Sequence, residues 1–245
     1  LTYSEMRRLR SDLQLIFQDP YSSLNSRMTV GQIIGEGMIA HKYFRKNDDR
    51  MKEEIIRVME ECGLAPYFLH RYPHQFSGGQ RQRIGIARSL ALRPKFVVCD
   101  EAVSALDVSI QAQILNLLQQ LQRTHGLSYL FITHNLSVVK HISDDITVMY
   151  LGQMVEEASV TDIFEYPLHP YTIGLIQSIP QMTTDSEQEL FMIKGSLPLL
   201  TQIKKGCRFA SRCPYATDKC REEEPELQKT GENHSVRCHF PRFGE

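Results

Sequence analysis

The sequence has no long hydrophobic run, no surplus of one charge and no opening stretch that reads as a secretory signal. Its longest uncharged stretch, Tyr166 to Thr184, is interrupted by Pro167, Pro170 and Pro180. A bilayer-crossing helix needs about 20 mostly apolar residues, so this stretch does not read as one. The 28 basic and 29 acidic residues leave a net charge of -1, which excludes a global positive field for gathering nucleic acid or anionic lipid. These absences favour a cytosolic setting, where the six cysteines stay reduced or metal-bound rather than disulfide-linked. What is present is ordinary for a globular protein: 42% hydrophobic and 23% charged residues in a chain of 245, which excludes wholesale disorder, collagen and coiled coil.

The patterning predicts an alternating α/β chain. A short basic helix around Met6, Arg7, Arg8 and Arg10 precedes a buried strand over 13–17. Residues 21–75 read as helices and loops, the clearest helix running over 49–62 with Met51, Ile55, Met59 and Cys62 on one face and Gly63 as its stop. A helix over 78–92, a strand over 96–99, an amphipathic helix carrying Ile110, Ile114, Leu117, Leu118 and Leu121, a strand over 129–132, a short helix and a strand over 146–150 follow. Fully apolar strands alternating with helices predict a parallel sheet covered on both faces. Around residue 160 the pattern breaks into a proline- and cysteine-rich lobe, so the expected division is 1–158, with a helical part over about 21–92, and 159–245.

Two places carry phosphate chemistry. Ser77-Gly78-Gly79-Gln80 opens a helix, and two glycines there let the backbone approach an anion facing the free amides of the first turn. The plain alternative is a glycine-rich N-cap. Asp100 and Glu101 follow the apolar strand 96–99, at the carboxyl end where parallel sheets bind ligands. Asp100 suits Mg²⁺ beside a nucleotide, and Glu101 suits polarisation of the water that attacks the terminal phosphate. The alternative is that one acid merely caps the next helix.

Together with their neighbours these residues resemble ABC-type ATPases, whose fold is an α/β P-loop NTPase domain with a helical subdomain. Ser77 to Gln80, followed by Arg81-Gln82-Arg83, resembles the signature motif; Phe96 to Glu101 the Walker B strand; Ser104-Ala105-Leu106-Asp107 the D-loop; His134 the switch histidine; and Gln18 the Q-loop glutamine. The resemblance implies that two such domains sandwich ATP and Mg²⁺. Asp100, Glu101, Gln18 and His134 would act on the chain's own nucleotide. Ser77, Gly78, Gly79 and Gln80 would act on the nucleotide held by a paralogous or identical ATPase partner, and Asp107 would communicate across the dimer. The family's Gly-Lys-Ser/Thr phosphate loop is missing, because none of the 14 glycines is followed by lysine. Only 17 residues precede Gln18 and the first is Leu1, so the expectation is a truncated chain that hydrolyses ATP negligibly and folds poorly alone.

The segment over residues 17–37 resembles the Q-loop region of the oligopeptide/dipeptide/nickel importer ATPases, with Ser26 at a position where proline is common. His169-Pro170-Tyr171-Thr172 resembles a second motif of that group. Ala102 stands where the family usually has proline, outside the residues expected to touch the reacting groups. The resemblance implies a peptide importer's ATPase on the cytosolic face of the membrane. Membrane permease subunits would dock on residues about 19–75, with Tyr21, Leu24, Met28 and the Glu36–Met38 area as contacts, unless Met28 and Met38 are core. Cys207, Cys213, Cys220 and Cys238 are spaced C-x5-C-x6-C-x17-C. Four thiolates can close around Zn²⁺ or a [4Fe–4S] cluster, and the lack of tight C-x2-C pairs, like the resemblance, favours iron–sulfur. His234 and His239 are spare ligands or solvent-facing, while Cys62 and Cys99 read as core. Two other readings stand: a soluble ABC ATPase outside transport, and a non-hydrolysing half-site partner with a redox cluster.

Overall fold

Strand formation begins where apolar residues leave a helix with no room to continue. In the computed structural model, which describes residues 2–46, 48–179, 192–198, 201 and 205–242, helix α1 (Tyr3–Asp12) runs directly into β1 (Leu13–Ile16). The chain divides into two compact units, Leu1–Asn135 and Leu136–Glu245.

In the first unit, β1, β2 (Phe96–Asp100) and β3 (Ser128–Ile132) form a parallel sheet with β2 in the middle. Between β1 and β2 lie α2 (Val30–Ala40), α3 (Asp49–Glu61) and α4 (Gly78–Leu90), and α5 (Val108–His125) joins β2 to β3. Ser77 caps α4 and Asp107 caps α5, while Gly126 ends α5 in the left-handed conformation that a glycine adopts without strain. Ile114, Leu117, Leu118 and Leu121 are the buried stripe of α5, each contributing about 1.5–3 kcal/mol by leaving water. Ile16, Ile86, Leu90, Val97, Leu118 and Leu121 close around a common point on one side of the sheet.

The expected two-sided burial is corrected. The other face carries Leu13, Leu15, Leu130 and Ile132, which are 51%, 37%, 50% and 46% exposed. The pleat sends alternate residues to opposite faces, and only the face that meets α4 and α5 is closed over these strands. Leu24, expected as a docking contact, is also corrected: it is 4% exposed and belongs to the helical core, and Met38, 0% exposed, follows the alternative of a core residue. Cys62 and Cys99 are buried as expected, and burial pushes both thiols up to about 12.

The second unit starts with α6 (Leu136–Ile142) and a hairpin of β4 (Asp145–Tyr150) and β5 (Gln153–Ser159). The strand expected over 146–150 therefore lies in an antiparallel sheet. Its connection to β5 is a two-residue turn, Leu151-Gly152, with φ of 47° and 73°, too short for a parallel crossover. Helices α7 (Val160–Glu165), α8 (Pro170–Gln177) and α9 (Asp218–Glu222) precede β6 (Gln228–Lys229) and β7 (Ser235–Val236), and the sheet order is β4-β5-β7-β6. Ile146, Val148, Tyr150, Val155, Ile163 and Phe209 form its core. Within it the Glu156 carboxylate, 0% exposed, accepts hydrogen bonds from the Leu168 and His169 backbone amides at 2.7 and 2.9 Å and faces His234 Nε2 at 2.8 Å. His234 is thus neither a spare ligand nor solvent-facing, and His169 is a buried cap of α8 that desolvation lowers to about 4. Pro180 lies outside the described residues.

One ion network ties α3 to the end of α4. Glu54 accepts from Arg57 at 2.7 Å and from Arg93 at 2.9 Å. The Arg57 hydrogen bonds above all, and Arg93 after them, overcome burial and hold its carboxyl down from 4.5 to about 2. A depressed folded-state value stabilises fully above the unfolded value near 4.5, and that contribution is lost as pH falls through about 2. Urea denaturation across this window is expected to show Glu54→Gln losing less stability on acidification than the parent protein. Equal losses would remove Glu54 from the acid response.

Candidate active site

Parallel strands aligned in register present their carboxyl ends along one edge. Ile16 pairs with Cys99, Cys99 with Phe131, and Asp100 with Ile132. Just beyond those ends the three strands deliver Gln18, the Asp100–Glu101 pair and His134. Asp100 is exposed at the end of β2. Glu101 turns the chain sharply, with φ of 44° in the left-handed region, where a non-glycine residue costs on the order of 1–2 kcal/mol.

That conformation is held from both sides. The Glu101 amide donates to the Ile132 carbonyl at 2.9 Å. Its carbonyl accepts from the Ser104 amide at 3.0 Å and from Ser104 Oγ at 2.9 Å. Ser104 was expected only as part of a motif. Its grip on the Glu101 turn was readable, at most, from a hydroxyl three residues on.

The turn sets the Glu101 carboxylate between two donors. Gln18 Nε2 donates to Oε2 at 2.6 Å, and His134 Nδ1 lies 3.0 Å from Oε1. The His134 hydrogen bond, opposed by burial, holds the Glu101 carboxyl below its ordinary 4.5. Glu101 is therefore ionised at neutral pH. Each carboxylate oxygen keeps a second lone pair, so a water can still be bound and polarised.

A second cluster forms at the N-termini of α4 and α5. Ser77 Oγ accepts from the Gln80 amide at 3.4 Å, and Gln80 Oε1 accepts from the Ser77 amide at 3.1 Å. Asp107 accepts from the Ile110 amide at 3.0 Å, so its carboxylate serves as a cap. The two glycines differ. A Cβ at Gly79 would lie 2.5 Å from Ile110 Cγ2, so this glycine lets α4 and α5 approach. A Cβ at Gly78 would meet only Leu106 Cδ2, at an ordinary 3.6 Å. Gly78 is exposed, and nothing within the chain demands a glycine there. Among the described residues no hydrogen bond joins Ser77–Gln80 to Gln18, Glu101 or His134.

All six cysteines are free. Burial, with the neighbouring thiols adding to it, raises Cys207, Cys213 and Cys238, the last to about 11. Cys220 Sγ lies 3.6 Å from Thr217 Oγ1. Among the described residues no group of three or more His, Cys, Asp or Glu side chains is arranged to hold a metal ion, so the geometry lends the expected four-cysteine site no support, although Cys207, Cys213 and Cys220 are near enough to Cys238 for each to raise its thiol.

The ABC transporter family model matches residues 1–104, and that of the oligopeptide/dipeptide transporter C-terminal region matches 155–220. The chain is 49% identical over 236 residues to the oligopeptide transport ATP-binding protein OppF of Escherichia coli (strain K12), covering 96% of this chain and 70% of that protein. It is 46% identical over 245 residues to the oligopeptide transport ATP-binding protein AppF of Bacillus subtilis (strain 168), covering 98% and 73%. The fold is that of cbiO1 from Clostridium perfringens, part of the ABC transporter complex cbiONQ, at a TM-score of 0.60 and 24% identity over 67% of this chain and 64% of that one. The ATP-binding cassette MJ0796, in a dimeric post-hydrolysis state with ADP and Pi, matches at a TM-score of 0.57 and 25% identity over 65% and 68%. The chain belongs to the ABC transporter ATP-binding proteins, in their oligopeptide/dipeptide branch, and so to an ATPase family.

Two substitutions separate packing from chemistry. Gly79→Ala is expected to destabilise by about 1–3 kcal/mol through the Ile110 clash, read by chemical denaturation. Gly78→Ala is expected to keep the parent stability while lowering ATP turnover. At the other cluster, His134→Ala is expected to move the Glu101 carboxyl upward toward 4.5 in an NMR titration, and an unmoved titration would contradict the pairing.

Proposed function

We propose that this chain is the ATP-hydrolysing subunit of an ABC importer that takes up di- and oligopeptides. The observation that carries the reading is the ionised Glu101 carboxylate at the end of a parallel strand, bracketed by Gln18 and His134. The printed names of the relatives, which are oligopeptide and dipeptide transport ATP-binding proteins, support the cargo class.

Glu101 accepts the proton of the attacking water on a carboxylate oxygen. His134 and Gln18 hold that carboxylate in place and present polar groups toward the same space. Asp100, exposed beside them, would hold Mg²⁺, which when bound neutralises charge on the terminal phosphates. Ser77 and the free amides of the first α4 turn stabilise the γ-phosphate of a nucleotide presented by the partner, and the Gly78 backbone leaves room for its approach. Asp107, capping α5 against the same surface, carries the contact between the two sites.

The partner is a paralogous or identical ATPase. Permease subunits dock on residues 19–75, where Tyr21, Tyr43, Tyr67 and Tyr72 are 65%, 48%, 69% and 40% exposed. Among the described residues no helix is long and apolar enough to cross a membrane, in keeping with peripheral attachment at the cytosolic face. Nucleic acid is no partner. By the change in sequence pattern, residues 1–158 are assigned to the ATPase domain and 159–245 to the extension, whereas the compact units divide earlier, between Asn135 and Leu136. The [4Fe–4S] or Zn²⁺ reading of the four cysteines rests on their spacing, and iron and sulfide analysis with absorbance near 400 nm after anaerobic purification decides it.

In a form of the protein that carries the family's Gly-Lys-Ser/Thr loop, Glu101→Gln is expected to lower ATP turnover by roughly 100-fold or more, while ATP still drives association with the partner and peptide uptake stops. Turnover near the parent rate would remove Glu101 as the base.

A further inference from the structure

Helix α4 presents one stripe of side chains, Arg81, Arg88 and Ser89, to the loop that carries Gln18. The Arg81 guanidinium lies 4.8 Å from the centroid of the Tyr21 ring. Ser89 Oγ lies 3.4 Å from the Leu15 carbonyl. Arg88 reaches furthest. Its Nη1 donates to the Ser23 carbonyl at 2.6 Å, and its guanidinium lies 5.8 Å from the centroid of Phe17, the residue immediately before Gln18.

One guanidinium therefore touches both ends of the segment that holds Gln18. The segment between is a preformed turn. The Asp19 carboxylate accepts from the Tyr21 amide at 2.8 Å, and the Ser23 amide donates to the Asp19 carbonyl at 3.2 Å. Pro20 is buried. A rigid turn clamped at two points moves as a body, so the clamp sets how far Gln18 Nε2 stands from Glu101 Oε2.

The environment of Arg88 is an expensive one for mere packing. Burial disfavours its charge, the only opposing influence is the more distant Glu36, and among the described residues no carboxylate lies within ion-pair distance of it. A partly buried guanidinium held by a backbone carbonyl and a ring contributes little net stability, because desolvation offsets the bond. Its directional value is large, because it fixes a carbonyl at one distance.

We propose that Arg88 is a positioning residue for hydrolysis, holding the Phe17–Ser23 segment so that the Gln18 amide stands at the Glu101 carboxylate. This rests on the reading of Glu101 and Gln18 given above. Because α4 also starts at Ser77, the same helix then links the surface offered to the partner's nucleotide with the glutamine that serves the chain's own.

The test is a cycle of substitutions in a form of the ATPase that carries the family's Gly-Lys-Ser/Thr loop and is assembled with its partner. Arg88→Met is expected to lower kcat roughly tenfold, the effect of losing one charge-assisted hydrogen bond, with KM for ATP within about twofold. In a Gln18→Ala background the same change is expected to cost less than about twofold, because its effect runs through Gln18. Arg88→Lys, which keeps a donor and a charge, is expected to recover most of the loss. Equal losses from Arg88→Met on both backgrounds, or no loss on either, would overturn the proposal. Should Arg88→Met fail to fold, Arg88→Gln, which loses the charge and the reach of the guanidinium, carries the same comparison: a loss in the parent that shrinks in the Gln18→Ala background supports it, and an equal loss on both, or none on either, defeats it. Parent kcat in Gln18→Ala alone would instead remove the reading of the site, a result distinct from additivity.

Discussion

The arrangement at the sheet edge depends on one carboxylate held between two donors. Glu101 sits in a left-handed turn that only works because its amide and carbonyl are both engaged, the one by Ile132 and the other by Ser104. That turn aims the side chain at Gln18 and His134. All three residues lie just past strands in parallel register, so a slip of one residue in β1 or β3 would withdraw a donor and reverse the faces of the strand. The sheet is small, and its register is what makes the site.

Helix α4 carries the second half of the argument. Its capped first turn holds two glycines side by side: Gly78, for which no neighbour among the described residues demands a glycine, and Gly79, where α5 packs too closely for a Cβ. Its later turns hold the Gln18 loop through Arg88 and the strand before it through Ser89. A change in where α4 lies thus acts at both places. Packed elements of this kind shift as units rather than deforming continuously.

Much of this was legible in the residues, and the limits have physical causes. The helices at 49–61, 78–90 and 108–125 were readable from apolar periodicity and from Gly63 and Gly126 as stops. Of the site, the Asp100–Glu101 pair was readable from its place after an apolar strand, whereas Gln18 and His134 came through the resemblance to ABC-type ATPases. Coverage of the sheet was not, since Leu13, Leu15, Leu130 and Ile132 are as apolar as the buried residues beside them, and the sequence does not say which face meets a helix. Strand β5 was hidden by Glu156 and Glu157. Glu156 is tolerable there only because two backbone amides and His234, 78 residues away, surround it. The reach of Arg88 to Ser23 spans 65 positions and leaves no local pattern. The four cysteines show the converse: a spacing that suggests a metal site, in thiols that lie near one another without a metal-holding arrangement among the described residues.

The most direct measurement is the structure of the assembled ATPase pair trapped with ATP and Mg²⁺ through Glu101→Gln. The γ-phosphate bound by the partner should lie within hydrogen-bonding distance of Ser77 and the amides that follow it. Residue 101, Gln18 and His134 should face the phosphate on their own side. A triphosphate touching neither group, or Ser77 turned to solvent away from the seam, would contradict the division of labour between the two clusters.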